Sequence, residues 1–226
     1  MTIAPMDIDS FIEATGVSRE TASGFEVWRS LLEKWGARIN LVGASTLDDF
    51  WRRHAYDSAQ VYDLVSLSVR QSDAPRRWAD IGSGAGFPGL AVALRMKDAG
   101  EAGEVHLIEP SAKRAAFLRE AVRATGAPAV VHEVKVEDLP PRVTGEGFDV
   151  VTARACAPLT RLLGYVQSLW KDNTVGVFLK GREAEAELTA ASKSWRFQSE
   201  LQPSRSDPNG RVVLIKRLEH VDTRSA

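Results

Sequence analysis

From Arg77 onward the chain alternates short apolar runs with amphipathic stretches of helical length, and this alternation is what most restricts its fold. Strands that recur with a helix between each pair lie side by side as a mostly parallel sheet of βαβ units. The apolar runs read as strands at 77–81, 104–109, 129–134, 148–153, 174–180, 194–201 and 211–217, with helices at 86–98, 111–125, 158–170 and 182–193. The last two strands break the alternation. Only Gln202 to Gly210 joins them, a link rich in turn-forming residues with no room for a crossover helix, so they must pair antiparallel.

Upstream of the sheet the periodicity is helical. Phe25, Trp28, Leu31, Leu32 and Trp35 form one stripe that closes near Gly36, Ser45 and Thr46 read as an N-cap region, and Asp57-Ser58 opens a further helix through Val61, Leu64 and Val65. Residues 1–70 are therefore expected to be an all-helical cap, 71–218 the sheet domain and 219–226 a loose tail. A length of 226 residues suits one large domain with an appendage better than two equal domains.

Composition narrows the class further. At 44% apolar and 26% charged the chain is that of a soluble globular protein. A single cysteine, Cys156, cannot make an internal disulfide, and no Cys/His cluster has zinc-ligand spacing, so neither a disulfide framework nor a metal is expected. Cys156, flanked by alanines, is expected to be a small buried residue. The N-terminus has no basic and apolar leader pattern and no run approaches a membrane span, which points to a cytoplasmic protein without a membrane. A net charge of −1 excludes a polycation, so any nucleic-acid surface is local, with Arg52-Arg53-His54, Arg76-Arg77, Lys113-Arg114 with Arg119 and Arg123, and Lys180 with Arg182 as candidate patches that also read as solvated faces.

The segment Asp80-Ile81-Gly82-Ser83-Gly84-Ala85-Gly86-Phe87-Pro88-Gly89 leaves the first parallel strand and enters a helix, where a glycine-rich backbone can approach a nucleotide-type ligand closely. Its glycines follow G-x-G-x-G, and the carboxylate of Asp80 disfavours a pyrophosphate. An adenosine with a cationic amino-acid end suits it better, which describes S-adenosyl-L-methionine. Glu109, at the end of the second strand, is suited to accept from both ribose hydroxyls. Five parallel strands closed by an antiparallel hairpin, with these acids, make a seven-stranded, mostly parallel α/β sheet of the Rossmann-like class I methyltransferase kind.

The segment after the fourth strand, Thr152 to Pro158, should face the methyl acceptor. It contains no Asn-Pro-Pro-Tyr or Asp-Pro-Pro-Tyr for an exocyclic base amine and no Pro-Cys for attack on a pyrimidine ring. Guanine N7 has a free lone pair and no proton, so its methylation needs neither a general base nor a covalent intermediate. The residues permit this acceptor without compelling it. A methyltransferase of the same fold acting on a protein or small molecule, and a binding module that keeps the donor pocket, stay open on the residues alone.

Four stretches together resemble the bacterial 16S rRNA guanine-N7 methyltransferases, the glucose-inhibited division protein B family. They are Leu32-Glu33-Lys34-Trp35 with Asn40-Leu41 and Arg53-His54-Ala55-Tyr56-Asp57-Ser58; the loop ending in Phe87-Pro88-Gly89; Glu109-Pro110-Ser111 with Lys113-Arg114 and Phe117-Leu118; and Thr152-Ala153-Arg154-Ala155 with Leu179-Lys180-Gly181. The resemblance implies donor contacts by Gly82, Phe87, Val136, Glu137 and Arg154, joining Asp80, Gly84 and Glu109. It also implies direct methyl transfer to N7 of a guanosine in the helix 18 decoding-region loop. Arg154 is an acceptor-side candidate that also reads as a structural ion-pair partner of nearby carboxylates, and Lys180, at a strand's carboxyl end, is a candidate for an acceptor or phosphate contact. The implied partner is 16S rRNA or a small-subunit particle, met by a monomer. His54 and Asp57 fit an RNA contact or a hydrogen bond at a helix boundary equally well.

Overall fold

The computed structural model describes residues 6–68 and 76–221. The cap opens with α1 (Ile8–Thr15) and α2 (Arg19–Gly36), capped by Asp7 accepting from the Ser10 N–H and by Ser18 accepting from the Thr21 N–H. A short α3 (Ala44–Leu47), a π-helical turn (Trp51–Tyr56) and α4 (Asp57–Ser68) complete it. The sheet domain then runs β1 (Arg76–Ile81), α5 (Gly89–Asp98), β2 (Gly103–Ile108), α6 (Ala112–Thr125), β3 (Ala129–His132), α7 (Pro141–Thr144), β4 (Val150–Arg154), α8 (Leu159–Val166), β5 (Val175–Lys180), α9 (Ala184–Ala191), β6 (Trp195–Pro203) and β7 (Arg211–His220).

The strands form one sheet in the order β3-β2-β1-β4-β5-β7-β6. All pairs from β3 to β5 are parallel, whereas β7 enters antiparallel between β5 and β6. The expected hairpin is present, and its second strand lies inside the sheet. The strand order reverses between β1 and β4, so the segments leaving these two strands open a crevice at the carboxyl edge, the usual ligand position in such sheets.

Alternation along the strands feeds two cores. Trp78, Val150, Val177 and Leu214 pack with the cap and with α5 and α6, while Ala79, Val151, Phe178 and Val213 pack with α8 and the far side. The first core takes in Phe11, Phe25, Trp28 and Leu32 of the cap alongside Leu90 and Leu94 of α5, so the cap has no core of its own and is packed onto the sheet. Trp28 is fully buried; its indole N–H donates to the Ala85 carbonyl at 3.1 Å, and its ring stacks on Phe87 with centroids 4.3 Å apart. The cap thereby braces the glycine loop.

Element boundaries differ from expectation where the backbone leaves regular geometry. The helix expected from Gly86 starts at Gly89, because Gly84 and Gly86, with φ of 56° and 98°, still belong to the loop. β3 stops at His132 and gives way to a 3-10 turn at Val136–Asp138 and to α7, neither of which has a strong periodic signal. β7 runs to His220, which pairs with Trp195, so Glu219 and His220 belong to the sheet and not to the expected loose tail. The residues from 222 onward, and the polar stretch 70–75 at the expected boundary of cap and sheet, lie outside the described residues.

Trp28→Phe removes a donor from a buried carbonyl and is expected to lower unfolding free energy by about 1–3 kcal/mol, read from urea denaturation. An unchanged midpoint would show that the brace contributes nothing.

Candidate active site

The glycine loop leaves β1 with Gly82 at φ 65° and its amide donating to the Ile108 carbonyl at 2.9 Å. A Cβ on Gly82 would lie 2.9 Å from Cys156 Sγ, which would have to shift, in a left-handed conformation that side chains rarely adopt, so the position favours glycine. Glu109, at the end of β2, is buried and fixes the loop: its carboxylate accepts from the Gly84 N–H and from the Ser111 N–H, both at 2.9 Å. One acid thus ties the first turn of the loop to the start of α6. Each carboxylate oxygen retains a lone pair for a further donor.

Asp80 lies beneath the loop rather than on its surface, wholly buried. Oδ1 accepts from the Thr152 hydroxyl at 2.8 Å, while Oδ2 has no hydrogen-bond partner among the described residues. Burial pushes its carboxyl up to about 6, against the opposing pull of Thr152, Ser83, the nearby Gly89 amide and Arg154. A buried carboxylate held so far above its ordinary range is stabilised by any cation brought to the loop. The glycine cradle, Glu109 and this orphaned oxygen fit an adenosyl ligand with cationic sulfonium and amino groups. Val136 is buried in the turn after β3, and Glu137 beside it is exposed toward solvent.

The other half of the site lies on the far side of the loop. A cleft of about 990 Å³ runs between the π-helical turn of the cap, the segment after β4, the end of β5 and the β6–β7 link. Arg154 forms its inner wall. Its guanidinium donates to Asp57 Oδ2 at 3.2 Å, to the Arg53 carbonyl at 3.1 Å and to His54 Nδ1 at 3.1 Å, and it lies 4.5 Å above the Phe87 ring. Because arginine has no acceptor, His54 Nδ1 accepts and Nε2 carries the proton toward Thr46 Oγ1, 3.1 Å away. His54 also stacks on Phe87 with centroids 4.8 Å apart. Burial first, then Arg154 and Arg53, push its imidazole down to about 3.

The expected site residues therefore fall into two groups. Asp80, Gly82, Gly84 and Glu109 meet at the loop with Val136 and Glu137 beyond them, whereas Arg154 and Lys180 line the cleft. The Phe87 side chain is buried between Trp28 on one side and His54 with Arg154 on the other, which leaves its ring no free face. Lys180 is equally committed, donating to the Ala157 carbonyl at 2.7 Å and to Glu187 at 2.8 Å. Cys156 is exposed and not buried as expected, because Ala155 takes a left-handed φ of 51° and turns the chain out of the sheet after β4.

Sequence reasoning missed the partners that span the chain. Asp57 accepts from Ser206 at 2.5 Å, from Ser204 at 3.2 Å and from Gln60 at 3.0 Å, so α4 is clamped to the β6–β7 link 147 to 149 residues away. A turn-rich link with two serines carries no local signal of that contact. Among the described residues no group of histidines, cysteines and acids could hold a metal ion, and no helix is long and apolar enough to cross a membrane.

A donor crevice at the strand-order reversal, on a sheet that ends in an antiparallel hairpin, marks a Rossmann-like S-adenosylmethionine-dependent methyltransferase. The magnesium protoporphyrin IX methyltransferase of Synechocystis PCC 6803, solved with bound SAM, shares this fold at a TM-score of 0.55 and 14% identity, covering 96% of this chain and all of that one. The model of the GidB family, described as rRNA small subunit methyltransferase G, matches residues 22–208. Proteins named ribosomal RNA small subunit methyltransferase G are 44% identical over 217 residues in Parvibaculum lavamentivorans, covering 96% of this chain and 92% of that one, and 41% identical over 219 residues in Caulobacter vibrioides, covering 96% and 95%. The chain belongs to the GidB family.

Were a cationic donor seated on this loop, only the ionised form of Asp80 would attract it, so donor affinity is expected to rise as pH is raised through about 6, and Asp80→Asn to flatten the profile. Calorimetric titration between about pH 5 and pH 8 checks this. A wild-type profile as flat as the variant's would contradict the role given to Asp80.

Proposed function

We propose that this chain methylates N7 of a guanosine in 16S rRNA, in the decoding-region loop of helix 18, with S-adenosyl-L-methionine as donor. The observation that carries the N7 assignment is the state of the two groups best placed for proton or covalent chemistry. His54 is neutral with both ring nitrogens engaged, and the Cys156 thiol, on an exposed residue whose sulfur lies against the Gly82 turn, is raised above its ordinary value by partial loss of solvent and then by the Asp80 carboxylate, so neither is poised as base or nucleophile. A lone-pair nitrogen that carries no proton is the acceptor such a site can serve. Family membership supports the rRNA substrate.

When bound, the donor supplies an electrophilic methyl on a sulfonium. The backbone of Gly82 and Gly84 would receive it, Glu109 would accept from its ribose hydroxyls, Val136 and Glu137 would hold its adenine, and Asp80 would offset its positive charge. Phe87 and Arg154 shape the wall between donor and acceptor. Lys180 holds the Ala155–Pro158 segment at the cleft floor through the Ala157 carbonyl and Glu187, and Glu187 in turn accepts from the Leu159 N–H at 2.6 Å. Rate enhancement then comes from alignment, for which well-oriented intramolecular reactions reach roughly 7–11 kcal/mol. Both halves of the site come from one chain, which supports a monomer, and a ribosomal substrate supports a cytoplasmic location.

Transfer of labelled methyl to small subunits from cells lacking this protein, with modified nucleosides read by mass spectrometry, is expected to show a single N7-methylguanosine in 16S rRNA. Gly82→Ala, which crowds Cys156 Sγ at 2.9 Å in a left-handed conformation, should abolish it. Label at another base position, or in protein or a metabolite, overturns the assignment.

A further inference from the structure

The basic side chains of the cleft differ in how they are used. Arg154 is paired with Asp57 and Lys180 with Glu187, and Arg211 donates to the carbonyls of Pro208 and Gly210. Arg53 is exposed at the rim, and its guanidinium makes no ion pair or hydrogen bond with any described residue. Its backbone, by contrast, is pinned. The Arg53 N–H donates to the Asp49 carbonyl at 2.9 Å, the Arg53 carbonyl accepts from Arg154, and the next residue, His54, is packed on Phe87.

A free guanidinium on a fixed backbone is available to an anion, since its planar fork matches a phosphate and its anchor point in the cleft rim is set. The π-helical geometry of Trp51–Tyr56 also belongs with function, because such turns are rare and concentrate at sites. An anion held at the rim would offset the positive charge that Arg53 already projects toward His54 and Arg154. The cleft floor, meanwhile, reaches the donor loop, where Cys156 packs against Gly82. A nucleotide with its phosphate at Arg53 and its base along the floor therefore points the base at the donor.

We propose that Arg53 binds the backbone phosphate flanking the acceptor nucleotide, and that RNA enters through this cleft; the proposal rests on the reading of the chain as an rRNA methyltransferase. A phosphate contact positions the strand without reading its sequence, so the residue acts on RNA affinity and not on the chemical step.

Methyl transfer to 16S rRNA is measured for wild type, Arg53→Gln and Arg53→Lys between about 50 and 200 mM salt, alongside donor affinity by calorimetry. For Arg53→Gln the expected result is a KM for RNA raised about tenfold, with kcat and donor affinity within twofold of wild type. The slope of log KM against log salt should also fall by about one, and Arg53→Lys should retain the slope. An unchanged KM and slope, with wild type active on rRNA, overturns the role of Arg53 and leaves the function standing. Weakened donor affinity or a lowered melting temperature in Arg53→Gln assigns it a structural role and overturns the proposal. Absence of transfer to rRNA by wild type overturns the function and this inference with it.

Discussion

The half-buried guanidinium of Arg154 is the constraint around which the rest of the site is arranged. A charge partly withdrawn from water at the end of a central strand needs partners around it. Here Asp57 supplies the opposite charge, His54 and the Arg53 carbonyl each accept a further N–H, and Phe87 offers an aromatic face. These partners come from the helical cap and the glycine loop, while Arg154 belongs to the sheet. One side chain therefore fixes three parts of the molecule against one another, and Asp57 extends the connection to the β6–β7 link through Ser204 and Ser206.

This arrangement separates donor and acceptor chemistry while keeping them adjacent. The loop from Gly82 to Phe87 is shared: its glycines lie at the crevice proposed for the donor, and Phe87 packs behind the cleft against His54 and Arg154. Glu109 and Trp28 hold that loop from opposite sides, the first through the Gly84 amide and the second through the Ala85 carbonyl. Both restraints act on backbone groups, so the geometry of the donor site depends little on the flexibility of side chains. A reaction that relies on alignment, with no acid or base, needs that rigidity.

Much of this was legible in the sequence because its causes are local. The strand periodicity, the glycine loop, the acids Asp80 and Glu109, and the antiparallel link each arise from residues within a few positions of one another, and all appear where expected. The cap's stripe from Phe25 to Trp35 was also readable, though not that Trp28 within it would brace the loop. What escaped were contacts set by tertiary packing. The left-handed Ala155 that exposes Cys156 has no compositional signature, since alanine seldom adopts that conformation. The burial of Asp80 beneath the loop depends on Thr152 of β4, and the commitment of Lys180 depends on Glu187 of α9. Reading the sequence pointed to Arg154 and Lys180, and the structure shows each of them paired with an acid, Asp57 and Glu187.

The Arg154 cluster joins cap, loop and sheet, and its most direct reporter is His54. Neutral His54 contributes stability that is fully present above about pH 6.5 and is lost as pH falls toward about 3, since the unfolded chain binds the proton more readily. Nitrogen NMR of the labelled imidazole rings across this range measures it directly. The expected result is a neutral ring protonated on Nε2, with Nδ1 accepting from Arg154, and no titration above about pH 5. An imidazolium forming near pH 6.5, or a ring protonated on Nδ1, would contradict the arrangement that joins cap, loop and sheet.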